Sequence, residues 1–166
     1  MENNQKKILG LDLGIKSTGY YCKDADLLGH FASKGNVLGA KANDFATHIE
    51  SIITEYQITD VFFEWIDENN APKKNHSEHA TYVLNGLGLL VEAVCARLNV
   101  RCYPVKPREW KKCLFGWYSK GYERKPLIWG RILDMGYKPK TQDEADAIGI
   151  WYYGKNNVER LNYAKR

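Results

Sequence analysis

The sequence predicts an α/β sandwich built on a mixed five-stranded sheet, three strands antiparallel and two parallel, with helices on both faces. Three observations carry that expectation. Short apolar runs open the chain in quick succession, helix-period segments then alternate with two more such runs, and the chain beyond residue 106 reads as helix. Short turns let the first three strands pair as hairpins, whereas a helical crossover returns each later strand parallel to the first.

Residues 7–13 are the first strand, turned by Gly14-Ile15-Lys16 into a second over 18–22, and residues 27–32 complete the meander. In 43–56, Phe45, Ile49, Ile52, Ile53 and Tyr56 fall on one helical stripe, with Asn43 or Asp44 able to cap its start. Residues 59–64 form a fourth strand, and the polar stretch 67–77 an exposed loop. Residues 80–98 are the longest predicted helix. Gly86 and Gly88 weaken it by about 1 kcal/mol each relative to Ala, so they are expected to permit close packing. A fifth strand spans 100–105, and Pro107 suits the first turn of a helix running to Leu114. Helices over 127–135 and 143–153 finish the domain, predicted as 7–154 between a flexible 1–6 tail and a basic 155–166 tail.

Composition excludes several classes. The chain has 166 residues, 44% apolar and 27% charged, with 14 Gly and 5 Pro, which suits one domain with a conventional core and rules out a collagen-like or disordered chain. No membrane span is expected, because the most apolar stretch, 83–98, contains Asn85, Glu92 and Arg97. Residues 1–7 lack the apolar core of a secretion signal. Cys22, Cys95, Cys102 and Cys113 show no Cys-x-x-Cys spacing, so reduced thiols and a cytoplasmic location are expected. The net charge of +4 is unevenly spread. Residues 101–140 hold 11 Lys/Arg against three acids, and the remainder is net acidic. That basic block is interleaved with Tyr103, Trp110, Phe115, Trp117, Tyr118, Tyr122 and Trp129, a mixture suited either to a nucleic acid or to a solvated face whose aromatics turn inward.

Two carboxylates sit where burial would be costly. Asp12 lies in Ile8-Leu9-Gly10-Leu11-Asp12-Leu13 and Glu64 ends Val61-Phe62-Phe63-Glu64. Asp143 and Asp146 open the last helix on the face of Ala147 and Ile150, with Glu144 turned toward solvent. If Asp12 and Glu64 stand on neighbouring strands, their backbones are about 5 Å apart. Acids converging at that range take up protons unless a cation screens them, and Mg²⁺ or Mn²⁺ are hard ions that oxygen ligands suit. Two such ions could cleave a phosphodiester. Each acid alone has an ordinary explanation: a turn cap for Asp12, a buried ion pair for Glu64, the helix dipole for Asp143. His76 and His79 are spaced like ligands but lack cysteine partners, His48 falls on an apolar stripe, and His30 carries no signal.

Residues 8–20, Ile-Leu-Gly-Leu-Asp-Leu-Gly-Ile-Lys-Ser-Thr-Gly-Tyr, resemble the opening strand-turn-strand of the RuvC-type Holliday-junction resolvases. Gly86-Leu87-Gly88-Leu89-Leu90-Val91-Glu92-Ala93, the segment 103–112 and the closing Asp143-Glu144-Ala145-Asp146-Ala147 follow in that family's order. The resemblance implies an RNase H-like fold, a homodimer joined through the helix around residues 82–95, and paired incision of a four-way DNA junction leaving 5'-phosphate and 3'-hydroxyl ends. It implies Asp12, Glu64, Asp143 and Asp146 as catalytic ligands of Mg²⁺ or Mn²⁺, two ions per site. DNA contacts are expected from Lys106, Arg108, Lys111, Lys112, Lys120, Arg124 and Lys125, and a wedging residue at Trp65 or Ile66. The alternatives are a broader branched-DNA or RNA nuclease of the same fold and a non-catalytic junction-binding protein.

Overall fold

The structure is a computed structural model, and it describes residues 6–65, 78–116 and 125–164. The strands are β1 (Ile8–Asp12), β2 (Thr18–Cys22), β3 (Leu27–Phe31), β4 (Asp60–Glu64) and β5 (Arg101–Val105). They form one sheet in the order β3-β2-β1-β4-β5. β2 runs antiparallel to both β1 and β3, whereas β4 runs parallel to β1 and to β5. The predicted sheet is therefore the observed one. Two long helices form the crossovers, α1 (Leu38–Tyr56) and α2 (Glu78–Arg97), and three follow the sheet: α3 (Pro107–Phe115), α4 (Lys125–Asp134) and α5 (Gln142–Ala164).

Strand alternation divides the core in two. Leu9, Leu11, Val61 and Phe63 point to one face and pack with Phe45, Ile49, Val91 and Cys95 of α1 and α2. Ile8, Tyr21, Phe62 and Tyr103 point to the other and pack with α3, α4 and α5 through Trp110, Ile128, Ile148 and Trp151. Asp12 is in phase with Ile8, and Glu64 with Phe62, so both acids belong to the α5 face. The helix comes very close there. A Cβ on Gly10 would lie 2.6 Å from Trp151 N and one on Gly19 would lie 2.9 Å from Glu144 N, so only glycine lets α5 lie flat on β1 and β2.

Four details differ from the sequence reading. α1 begins at Leu38, not near Asn43, with Val37 at its N-cap and no side-chain cap, so Asp44 lies inside the helix and accepts the Lys34 N–H (2.8 Å) from the preceding loop. α5 continues past Tyr153 to Ala164, held by buried Val158 and by Leu161 against the core, so most of the expected basic tail is helix. Gly88 does permit close packing, being 2.9 Å from the Trp65 ring for an added Cβ, but Gly86 faces open space. The segment His79–Arg97 of α2 is long and apolar enough to cross a bilayer by length and composition, although Val91, Val94 and Cys95 bury one side of it in the core.

At the far end of β4 from Glu64, Asp60 is fully buried. Arg101 lies 2.8 Å from each of its oxygens, and Thr59 Oγ1 donates to Oδ2 at 2.7 Å. This carboxylate is compensated in the way a buried charge requires.

Glycine clearance gives a direct test. Gly10→Ala should destabilise the protein by about 1–3 kcal/mol in urea unfolding, since the clash is with helix backbone that cannot relax locally. Gly130→Ala, inside α4 with open space around it, should be neutral or stabilise by up to about 1 kcal/mol. Equal effects would mean α5 is not seated on β1 as described.

Candidate active site

The parallel register of β1 and β4 runs from Ile8↔Asp60 to Leu11↔Phe63, and one step further it brings Asp12 and Glu64 side by side at the carboxyl ends of the two strands. In open α/β sheets this end is where ligands bind. The start of α5 is fixed against the same end. Thr141 Oγ1 accepts the Glu144 N–H at 3.2 Å, and the Glu144 carboxylate accepts the Lys140 N–H at 2.6 Å. Thr141 is thus an N-cap of the Thr-x-x-Glu pattern whose glutamate reaches back one residue beyond the cap, to Lys140, a signal the sequence carries in residues 141–144. Glu144 is therefore buried, not solvent-facing as expected, and its Oε1 lies 2.9 Å from His30 Nδ1. Gly19 pairs with both Asp12 and His30 across the sheet, which carries His30 to the edge of the site.

With α5 held this way, Asp143 and Asp146 face the strand ends. Burial foremost, then the charges of Asp146, Glu64 and Asp143, holds the Asp12 carboxyl well above the ordinary carboxylate range, against a pull downward from Lys125. Asp146 is pushed up to about 6 by burial and by Glu64, although a 2.8 Å hydrogen bond from Gln142 and the charges of Lys111 and Lys125 oppose this. Asp12 thus senses the charge of the other three acids, and Asp146 that of Glu64. Among the described residues none of the four forms an ion pair with a lysine, arginine or histidine, in contrast to Asp60. Among the same residues, no three acidic, histidine or cysteine side chains stand at ligating distance of one point. Unscreened carboxylates repel, so a converging but open set is what electrostatics dictates. The donor set consists of hard oxygens, which fits Mg²⁺ or Mn²⁺ and not a thiolate-seeking ion.

Of the expected basic contacts, Lys111 and Lys125 stand close enough to act on Asp146. Lys106, Arg108 and Lys112 are exposed at or on α3, and Lys120 and Arg124 lie outside the described residues. The interleaved aromatics divide similarly. Tyr103 and Trp110 are buried in the core and Phe115 and Trp129 pack against it, while Trp117, Tyr118 and Tyr122 fall outside the described residues. Trp65 packs edge-on to Phe63 and against Gly88, and Ile66 is outside the described residues. His48 stacks on Phe31 with ring centroids 4.6 Å apart, and His79 is exposed. His76 is outside the described residues.

These shifts fix the sign of a pH dependence. The Asp146 carboxyl is pushed up to about 6 in the folded protein, above the ordinary aspartate value of about 3.9, so between those limits the folded state keeps a proton the unfolded state has lost. Its stabilising contribution is present at acid pH and is lost as pH rises through about 6, by up to about 3 kcal/mol. Thermal unfolding in EDTA should show a lower Tm at pH 7 than at pH 4.5 from this cluster, and Asp146→Asn should raise the Tm at pH 7. An unchanged Tm in the variant would mean that Asp146 is not under repulsion.

No family model matches the sequence, and no curated protein matches it. Solved structures do. The Thermus thermophilus RuvC structure matches with a TM-score of 0.71 at 15% identity, covering 93% of this chain and 96% of that one. T. thermophilus RuvC in complex with Holliday junction substrate gives 0.68 at 15% identity, covering 94% and 96%. The yeast mitochondrial Holliday junction resolvase Ydc2 gives 0.52 at 15% identity, covering 96% and 83%. Nearly the whole chain superimposes on the Thermus thermophilus RuvC structure, so the chain has the same fold, which is RNase H-like.

Proposed function

We propose that this protein is a structure-selective DNA endonuclease that resolves four-way junctions by paired, metal-dependent phosphodiester hydrolysis. The observation that carries this reading is the set of four converging acids, without an ion-pair partner among the described residues, beside Lys111 and Lys125. Asp12, Glu64, Asp143 and Asp146 would hold Mg²⁺ or Mn²⁺, two ions per site. Such ions activate a water and stabilise the leaving oxygen when bound. This chain's own part is to present carboxylates on rigid strand ends and a capped helix, so that little reorganisation is needed. Lys111 and Lys125 supply positive charge where a phosphate backbone approaches an otherwise repulsive site. Attack opposite the 3'-oxygen leaves 5'-phosphate and 3'-hydroxyl ends. The neighbour solved with a Holliday junction supports branched DNA as the substrate.

Paired incision needs two sites, and one surface suits a second copy of the chain. Tyr82 and Leu89 of α2 are 71% and 58% exposed, beside Val37, Leu38 and Ile15. They border a groove of about 1010 Å³ between α2 and the start of α1. Large exposed apolar side chains gathered on one face mark an interaction surface, and the apolar length of α2 has the same origin in this reading. The homodimer expected from the sequence would bury this face.

Two outcomes follow. On a mobile four-way junction in Mg²⁺, the protein should make symmetric nicks, and Asp12→Asn should slow cleavage at least a hundredfold, about 2.7 kcal/mol of transition-state stabilisation, while junction binding persists. Equal cutting of forks, flaps, RNA or linear duplex would favour the broader nuclease, and binding without cleavage the non-catalytic protein. Leu89→Glu should convert the dimer to a monomer in sedimentation and replace paired nicks by single ones. A variant that stays dimeric would place the interface elsewhere.

A further inference from the structure

Trp110 belongs to the basic, aromatic block, where a base-stacking role was one expectation. The structure puts it to another use. Its side chain is 1% exposed, and its Nε1–H donates to Glu64 Oε2 at 2.6 Å. The ring is held from behind by α5. A Cβ on Gly149 would lie 2.6 Å from the indole, so glycine there makes room for this orientation. On the ring itself, the Lys111 ammonium lies 5.1 Å from a ring centroid, within cation–π range. That ammonium also acts on Asp146.

We propose that Trp110 is a positioning residue: its indole N–H aims the Glu64 carboxylate for metal capture while its ring seats Lys111 beside Asp146. The inference rests on the reading of Glu64 as a metal ligand. The physical need is clear. A glutamate has three side-chain torsions, and repulsion from Asp12 and Asp146 drives its head away from the point where a cation must sit. An indole N–H is a donor with no acceptor function, carried by a ring that the core does not let rotate. It fixes one carboxylate oxygen, and among the described residues the other accepts no hydrogen bond, so the carboxylate keeps capacity that an ion would use. Partners of this type, once removed, weaken metal binding by about 10–100-fold. The same ring makes the lysine and the ligand parts of one unit, so the positive charge and the acid keep a fixed relation as the metal enters.

The test is Mn²⁺ titration of the metal-free, full-length protein by calorimetry, beside the half-saturating Mg²⁺ concentration for junction cleavage. Trp110→Phe keeps a ring against Gly149 and a face for Lys111 but has no N–H. It should weaken Mn²⁺ binding at least tenfold and raise the Mg²⁺ requirement in proportion, with maximal cleavage at saturating Mg²⁺ changed much less and junction affinity in EDTA unchanged. Should Trp110→Phe fold poorly, benzothienyl-alanine at position 110 replaces N–H by sulfur in the same outline and should give the same result. Glu64→Gln separates the two levels. If it abolishes Mn²⁺ binding while both position-110 variants bind as the parent does, the positioning role is overturned and the nuclease reading stands. If Glu64→Gln also binds Mn²⁺ normally, the reading on which the inference rests fails.

Discussion

Carboxylates gathered at the carboxyl ends of two parallel strands, with no ion-pair partner among the described residues, are the constraint around which the rest of this molecule is arranged. A buried carboxylate is tolerated when a cation answers it, and Asp60 shows that this chain can do so: Arg101 and Thr59 satisfy it at the opposite end of the same strand. Glu64, four residues on, has an indole N–H instead of a guanidinium. Burial, and then neighbours of its own sign, hold the Asp12 carboxyl well above the usual carboxylate range. The difference between the two ends of β4 separates a carboxylate that serves the fold from one that burdens it.

That burden is sustained by close packing elsewhere. α5 delivers two of the four acids, and it can do so only by lying directly on the sheet, where Gly10 and Gly19 present no side chain. The Thr141 cap on Glu144, the reach of Glu144 back to the Lys140 N–H and its contact with His30 then fix the angle at which the helix begins. Trp151 edge-on to Tyr21, with centroids 5.0 Å apart, and Phe62 stacked on Tyr103 at 4.6 Å supply apolar burial on the same face. Apolar packing of this kind offsets repulsion that the acids, taken by themselves, would relieve by moving apart.

Much of this was legible in the sequence because it depends on period. Alternation put Asp12 in phase with Ile8 and Glu64 in phase with Phe62, and short turns against helical crossovers fixed the mixed sheet. What was missed depends on partners distant in the chain. Glu144 looked solvent-facing by helical angle alone, yet the cap and His30, 114 residues away, draw it inward. Trp110 stood in a basic, aromatic run that left a nucleic-acid face and an inward turn equally open, and only the assembled fold brings Glu64 and Gly149 to it. Asp44 resembled a helix cap, but it lies inside α1 and accepts the Lys34 N–H from the preceding loop. The continuation of α5 to Ala164 was hidden because its buried residues, Val158 and Leu161, are sparse in a polar stretch.

Crystals grown with Mn²⁺, with diffraction recorded on both sides of the manganese absorption edge, address the central claim without reference to any substrate. Anomalous density between Asp12, Glu64 and the first turn of α5, with carboxylate oxygens at ligating distance, is the expected result. Maps without such density, in which the Lys111 or Lys125 ammonium instead bridges these acids, would contradict it.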